Sequence, residues 1–337
     1  SDEHTIDLSS TSSHGIHDLN STHSTPQTYH ADPLTLQSAA NIQSLLELDL
    51  LHQEARQSRL HHQIGLVRDR ESAPPSFEID YLAADSLTRI IRDLNMSLAT
   101  TVRFIRGETG ADTRPSKGLD PDRLRTVLRG YPHLETLLDI AQHGISPAWK
   151  TEAIQQMRPP KNHASCRRHL RAIARNIRQG QNCGQYLVVR ADILQQWPSI
   201  VCSPLGAVEK KGVDPDLEVR TIHDLSYPKG NSVNSQFIAS TAPVIPYQYV
   251  STLARRIESL AATSPQDGIY MLKGDVKGAF RHLMTNAEHV HRMAALIPEL
   301  DILCVDLAVP FGWSGSPPYY GAFGRAISWL MAQNSPG

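Results

Sequence analysis

The side-chain pattern changes character at Arg158-Pro159-Pro160. Before that point apolar residues recur at steps of three and four; after it, short β-branched runs alternate with turn residues. A chain that switches period once is neither all-helical nor all-β, so an α+β fold is predicted, a mainly helical N-terminal half followed by a mixed domain. Residues 1–31 are crowded with Ser, Thr and His and cannot bury enough apolar surface to offset their ordering entropy; they read as a disordered tail. Asp32-Pro33 is a helix start, followed by Ile42, Leu45, Leu46, Leu50 and Leu51. After the break at Ala73-Pro74-Pro75, one stripe carries Leu87, Ile90, Ile91, Leu94, Leu98 and Ile105, which predicts a second helix. Gly107, Gly110, Pro115 and Gly118 mark a linker, and Asp120-Pro121 opens further helix before Gly144. The domain plan is therefore a tail (1–31), a helical region without visible chemistry (32–158) and a mixed domain (159–337).

Within the mixed domain, residues 163–179 read as one amphipathic helix. Leu170, Ile173 and Ile177 lie on one side and Arg168, Arg171, Arg175 and Arg178 on the other. Strands are predicted at 186–189, 200–201, 207–208, 219–222 and 302–309, with helices at 250–262, 287–296 and 319–331.

Lys+Arg total 33 against 34 Asp+Glu. That balance neither requires nor excludes a nucleic-acid partner, which needs a local basic surface rather than a basic whole. Cys166, Cys183, Cys202 and Cys304 form no C-x-x-C pair and read as reduced thiols of an intracellular protein, in cytoplasm or nucleus. His163, Cys166, His169 and Cys183 fit no common zinc-finger spacing. No apolar run reaches the roughly 20 residues of a membrane span, and no secretory signal stands at the start, so no membrane partner is expected.

Four blocks carry chemistry. Lys273-Gly274-Asp275-Val276-Lys277-Gly278-Ala279-Phe280-Arg281 places a carboxylate beside glycines after the apolar stretch Ile269 to Leu272. At a strand end it is a natural ligand for a hard cation; taken alone, it is far more often a solvated aspartate capping a turn. Pro310-Phe311-Gly312-Trp313-Ser314-Gly315-Ser316-Pro317 lets backbone approach a ligand closely and then opens a helix. Ser203 to Lys211 and Val219 to Ser226 bracket a polar turn, so a hairpin brings Lys210 and Arg220 together, with Asp224 placed to orient Arg220. The alternative there is an ordinary exposed hairpin with scattered charges.

In this order the blocks resemble the fingers and palm of reverse transcriptases, most closely retrotransposon enzymes of the gypsy-like and tyrosine-recombinase-element groups. The likeness covers about residues 197–330. It implies a right-hand polymerase domain, here incomplete, that joins deoxynucleoside triphosphates to a primer on an RNA or DNA template. Polymerisation is phosphoryl transfer aligned by two metal ions, here Mg²⁺. The resemblance makes Asp275 a catalytic metal ligand with the Val276 carbonyl as companion, and Phe280 the aromatic that excludes a 2′-hydroxyl. It sets Lys210 and Arg220 on the triphosphate and Phe311 and Gly312 against the nucleotide. The arginine face, Arg168 to Arg178, is either a phosphate-tracking surface or a solvated helix face. No Asp-Asp pair, the family's next block, occurs in the chain, and Asp301 and Asp306 precede the turn block. The chain thus reads as a fragment, inactive by itself. Two other readings stay open: a catalytically dead or co-opted relative that binds nucleic acid, and an RNA-dependent RNA polymerase, which Phe280 disfavours.

Overall fold

A computed structural model describes residues 78–246, 249–266, 268–271 and 274–334. All of them lie in the second of two compact units, Gly65–Gly337. The expected tail, the helix after Asp32 and the break at Ala73 fall outside the described residues.

Three strands form an antiparallel sheet in the order β1 (Tyr186–Arg190), β5 (Ile302–Asp306), β4 (Ala294–Ile297). Val188 and Ala295 both face Cys304 across the ladders. Every residue of β5 is buried, because helices cover both faces. Successive side chains of a strand point to opposite faces, and the two cores divide accordingly. Leu303 and Val305 join Leu187 and Val189 on one face, under α1 (Tyr81–Asp93) and α2 (Leu98–Arg106). Ile302 and Cys304 join Val188 and Ala295 on the other, under α6 (Leu170–Asn182). The first of these cores therefore joins residues from both sides of position 159.

Four sequence expectations are corrected. The stripe from Leu87 to Ile105 is two helices, because Asn95 takes a left-handed conformation (φ 46°) and Ser97 caps a new start by accepting the Thr100 amide at 3.2 Å. The helix expected over 163–179 is also two, α5 (Ala164–Arg168) and α6, joined at the buried His169. The stretch 287–296 is not a helix: a 3₁₀ turn at Val290–Arg292 leads into β4, whose ladder with β5 overrides the local spacing. Ile200-Val201 forms no ladder; its neighbour Cys202 makes one isolated bridge to Ala294.

The expected hairpin is present as β2 (Leu205–Glu209) and β3 (Val219–His223), with Val208 opposite Arg220. α3 (Pro121–Val127) is capped by Asp120, and with α4 (Leu134–His143) it packs Leu128, Tyr131 and Leu137 against the long C-terminal helix α9 (Ser316–Asn334). The short α7 (Val233–Gln236) sits beneath the turn block, and α8 (Val250–Thr263) buries none of its residues.

Candidate nucleotide site

The octet 310–317 is fastened from three sides. Trp313 is the buried root, with Phe237 at 5.0 Å and Tyr319 stacked at 5.7 Å. Ser316 donates its hydroxyl to the Pro310 carbonyl at 2.7 Å and closes the loop on itself. Asn234 of α7 donates to the Gly312 carbonyl at 2.8 Å and accepts the Ser314 amide at 2.9 Å. Gly312 has φ +119° and presses on the end of β3; a Cβ there would lie 2.0 Å from the His223 carbonyl oxygen. Only glycine fits both the dihedral and the space.

Fastened in this way, the turn projects Phe311, 48% exposed, against Phe280 with ring centroids 4.8 Å apart. Phe280 rides on a 3₁₀ turn, Ala279–His282, and meets Tyr320 of α9 edge-on at 5.9 Å. Its neighbour Arg281 points inward. The guanidinium bonds the Asp306 carboxylate, lies 4.5 Å over the Tyr186 ring and donates to the Gln185 carbonyl at 3.2 Å. Asp306 also meets His223 Nδ1 at 2.9 Å, and His223 Nε2 donates to the Ala294 carbonyl at 3.0 Å. One buried carboxylate thus ties the end of the hairpin, the middle of the sheet and the turn carrying Phe280. Burial opposes the charge on Arg281, but Asp306 outweighs it and raises the guanidinium pKa. Burial, then the Asp306 charge, pushes the Tyr186 hydroxyl and the Cys304 thiol up.

Asp275 stands outside this network. Residues 274–276 belong to no strand, and Ile269, Tyr270 and Met271 before them are exposed, Tyr270 by 94% and Met271 by 76%. The expected strand end is corrected: among the described residues, no partner strand pairs with this segment. Asp275 is exposed, yet it reaches α9 electrostatically: after burial, its charge raises the Tyr320 hydroxyl pKa. Val276 beside it is 43% exposed.

On the hairpin, Lys210 follows the last residue of β2, two places beyond the Val208 that faces Arg220, and bonds Glu218 across the turn. Two-residue periodicity therefore sets Lys210 and Arg220 on one face. That bond, then the Lys210 charge, lowers the Glu218 pKa; Lys277, two residues from Asp275, adds to it through space. Arg220 is exposed and makes no hydrogen bond or ion pair among the described residues. Asp224 does not orient it: past the end of β3 its carboxylate turns to His163 Nε2 at 2.9 Å.

The arginine face is divided. Arg178 pairs with Asp80 at 2.6 Å and Arg175 donates to the Leu217 carbonyl at 3.0 Å, so both hold the fold together. Arg168 and Arg171 remain exposed. His163, Cys166, His169 and Cys183 do not converge: His163 faces Asp224, His169 faces Glu209 at 3.3 Å, Cys166 is buried and Cys183 is exposed. His289 accepts the Trp149 indole N–H at 3.1 Å. Sequence reasoning missed Asn234, Tyr320 and the Arg281–Asp306–His223 network. The one visible signal was Asp306, a lone charge inside the apolar run 302–309, which demands a buried partner.

Among the described residues, no group of three His, Cys, Asp or Glu is placed to hold a metal ion. The donors present fit a hard cation shared between one carboxylate and a ligand's own phosphates, a usual arrangement for magnesium, rather than a cage made by protein alone. No helix among the described residues is long and apolar enough to cross a membrane.

No family model matches the chain, and no curated protein does. Among solved structures it is similar to the foamy viral protease-reverse transcriptase dRH in complex with double-stranded DNA, at 15% identity and a TM-score of 0.35, covering 64% of this chain and 36% of that one. A second, the foamy viral protease-reverse transcriptase in complex with double-stranded DNA, gives 15% identity and a TM-score of 0.33 over 64% and 42%. The chain therefore spans less than half the length of either. At these scores the likeness is loose, and the site rests on its own geometry.

Proposed function

We propose that this chain carries the nucleotide-facing part of a reverse-transcriptase-like nucleic-acid polymerase. One observation supports the reading above all. Three segments far apart in sequence meet: the end of β3 at His223, the turn bearing Phe280, and the octet bearing Phe311 and Gly312. In this reading Phe280, backed by Tyr320 and Phe311, is the wall against the sugar and favours deoxynucleotides. Lys210 and Arg220 neutralise the triphosphate from the hairpin face, Arg220 as a fork and Lys210 after release from Glu218. Arg168 and Arg171 are the remaining candidates for template or primer phosphates. Asp275, with the Val276 carbonyl, holds Mg²⁺ jointly with the triphosphate. When bound, the ion neutralises phosphate charge and aligns attacking and leaving oxygens. Asp306 touches no substrate; it fixes the wall by fixing Arg281.

The test is equilibrium binding of a fluorescent deoxynucleoside triphosphate to the 337-residue chain, with and without Mg²⁺. Asp275→Asn is expected to remove the metal-dependent part of binding, at least tenfold, and Phe280→Ala to bring ribonucleotide affinity close to deoxynucleotide affinity. Metal dependence unchanged in Asp275→Asn would sink the proposal.

A second reading follows from the single carboxylate. With no second acidic ligand gathered beside Asp275 among the described residues, binding without turnover is the expected behaviour of this chain. Robust Mg²⁺-dependent primer extension would overturn that reading and leave the first intact.

A further inference from the structure

A trough of about 740 Å³ runs along α9, from Phe280 and Tyr320 at one end to Tyr131, His133 and Trp329 at the other. Its floor is Pro317, Gly321, Gly324 and Ser328, which recur at steps of three and four and so lie on one helix face. The floor is open at Gly324, where a Cβ would find its nearest neighbour, the Tyr320 ring, 4.0 Å away, and is roofed by Ile245 at Gly321, where a Cβ would lie 2.9 Å from that side chain. The far wall is aromatic, with Tyr131 5.7 Å from both Trp329 and His133. A second cavity of about 350 Å³ continues past Tyr131, His133 and Arg325. Among the described residues, Arg325 is the one fully charged side chain lining either space, and no carboxylate lines them. It makes no hydrogen bond or ion pair among the described residues.

We propose that this trough binds a single strand of nucleic acid, with bases stacked among the aromatic walls and a phosphate on Arg325. An aromatic channel with an unpaired guanidinium and no acid complements an aromatic polyanion. Pro317 to Trp329 spans about 18 Å of helix, room for several stacked nucleotides at about 3.4 Å each. Bases of a duplex are already paired and stacked, so their faces are not offered to side chains. The inference deepens the polymerase reading, since the trough opens at Phe280, and part of its wall, Tyr131 to His133, comes from the loop between α3 and α4. That loop lies outside the stretch whose sequence resembles reverse transcriptases.

The test is fluorescence anisotropy of the full chain with labelled single-stranded dT12, without metal, against a hairpin duplex of the same length. Gly324→Leu fills the floor while suiting the helix better than glycine, so it is expected to weaken dT12 binding at least tenfold without lowering the melting temperature. Arg325→Gln is expected to weaken it several-fold and to reduce the slope of log K against log salt by about 0.7. Wild-type affinity in either variant, or duplex bound as tightly as dT12, overturns the inference. Asp275→Asn is expected to leave dT12 binding unchanged. A chain that binds dT12 through Arg325 but shows no metal-dependent nucleotide binding keeps this inference and sinks the polymerase reading; the opposite pattern does the reverse.

Discussion

Asp275 and Arg281 are six residues apart and live in opposite surroundings. Arg281 is 11% exposed at its side chain, pinned by a carboxylate, an aromatic face and carbonyl oxygens. Asp275 is exposed and, among the described residues, hydrogen-bonds nothing. Phe280 is Arg281's immediate neighbour in the chain. A recognition site needs both kinds of group: a wall that does not move and a ligand-seeking atom not already satisfied by protein. Here the fold spends its buried charge on the wall and leaves the carboxylate open.

The contrast can be broken hardest at Asp306. Asp306→Asn leaves Arg281 a buried charge without its counter-ion, a change that costs about 3–5 kcal/mol. Thermal unfolding is expected to drop by roughly 10 °C for a unit of this size. A shift of less than about 2 °C would remove Asp306 from the anchoring role. Gly312→Ala is next, since its Cβ meets backbone rather than a movable side chain. About 1–3 kcal/mol of strain is expected in a denaturant titration, together with weaker nucleotide binding as Phe311 shifts. Undisturbed binding would show that the turn tolerates a new path.

Alkaline pH probes the same interior. Burial pushes the Cys166 thiol up to about 11 and Cys202 up to about 12, and it raises Cys304 beside Asp306. The folded state favours the neutral thiol, and each folded pKa lies above the unfolded one. The stabilisation is therefore full below about pH 9 and fades as pH climbs from there through 11 and 12. Unfolding free energies from denaturant titrations at pH 8 and 10.5 are expected to differ by about 2 kcal/mol for each such thiol; equal free energies would contradict thiols held in the interior. The smallest expected effect is on the open side. Asp275→Asn is expected to change stability by less than about 0.5 kcal/mol, because among the described residues none hydrogen-bonds that carboxylate. A larger loss would mean that Asp275 has a structural partner after all.

The sequence showed the elements whose own pattern decides them. The β2–β3 hairpin stands where a polar turn separates two apolar runs, and β1, β5, α8 and α9 occupy the stretches their periodicity marked. It misread those decided at a distance. Ala294 to Ile297 is a short apolar run that fits a helix or a strand equally well, and only β5 settles the choice. The breaks at Asn95 and His169 interrupt stripes that look continuous when residues are merely counted. In the candidate site, Phe280 and Phe311 touch, whereas Arg175, Arg178 and Asp224 are claimed by local partners that no motif announces. Asp306 stood out as a lone charge in an apolar run, but its partners were not legible, because His223 lies 83 residues away and only the folded sheet brings it and Arg281 to that carboxylate.

α8 offers a last consequence. Its fourteen residues bury nothing, and an isolated helix of that length is marginal in water. Its backbone amides should therefore trade hydrogen for deuterium through brief local opening, far sooner than those of β5. A binding partner laid along this helix would announce itself as slowed exchange at Val250–Thr263 before any other signal changed.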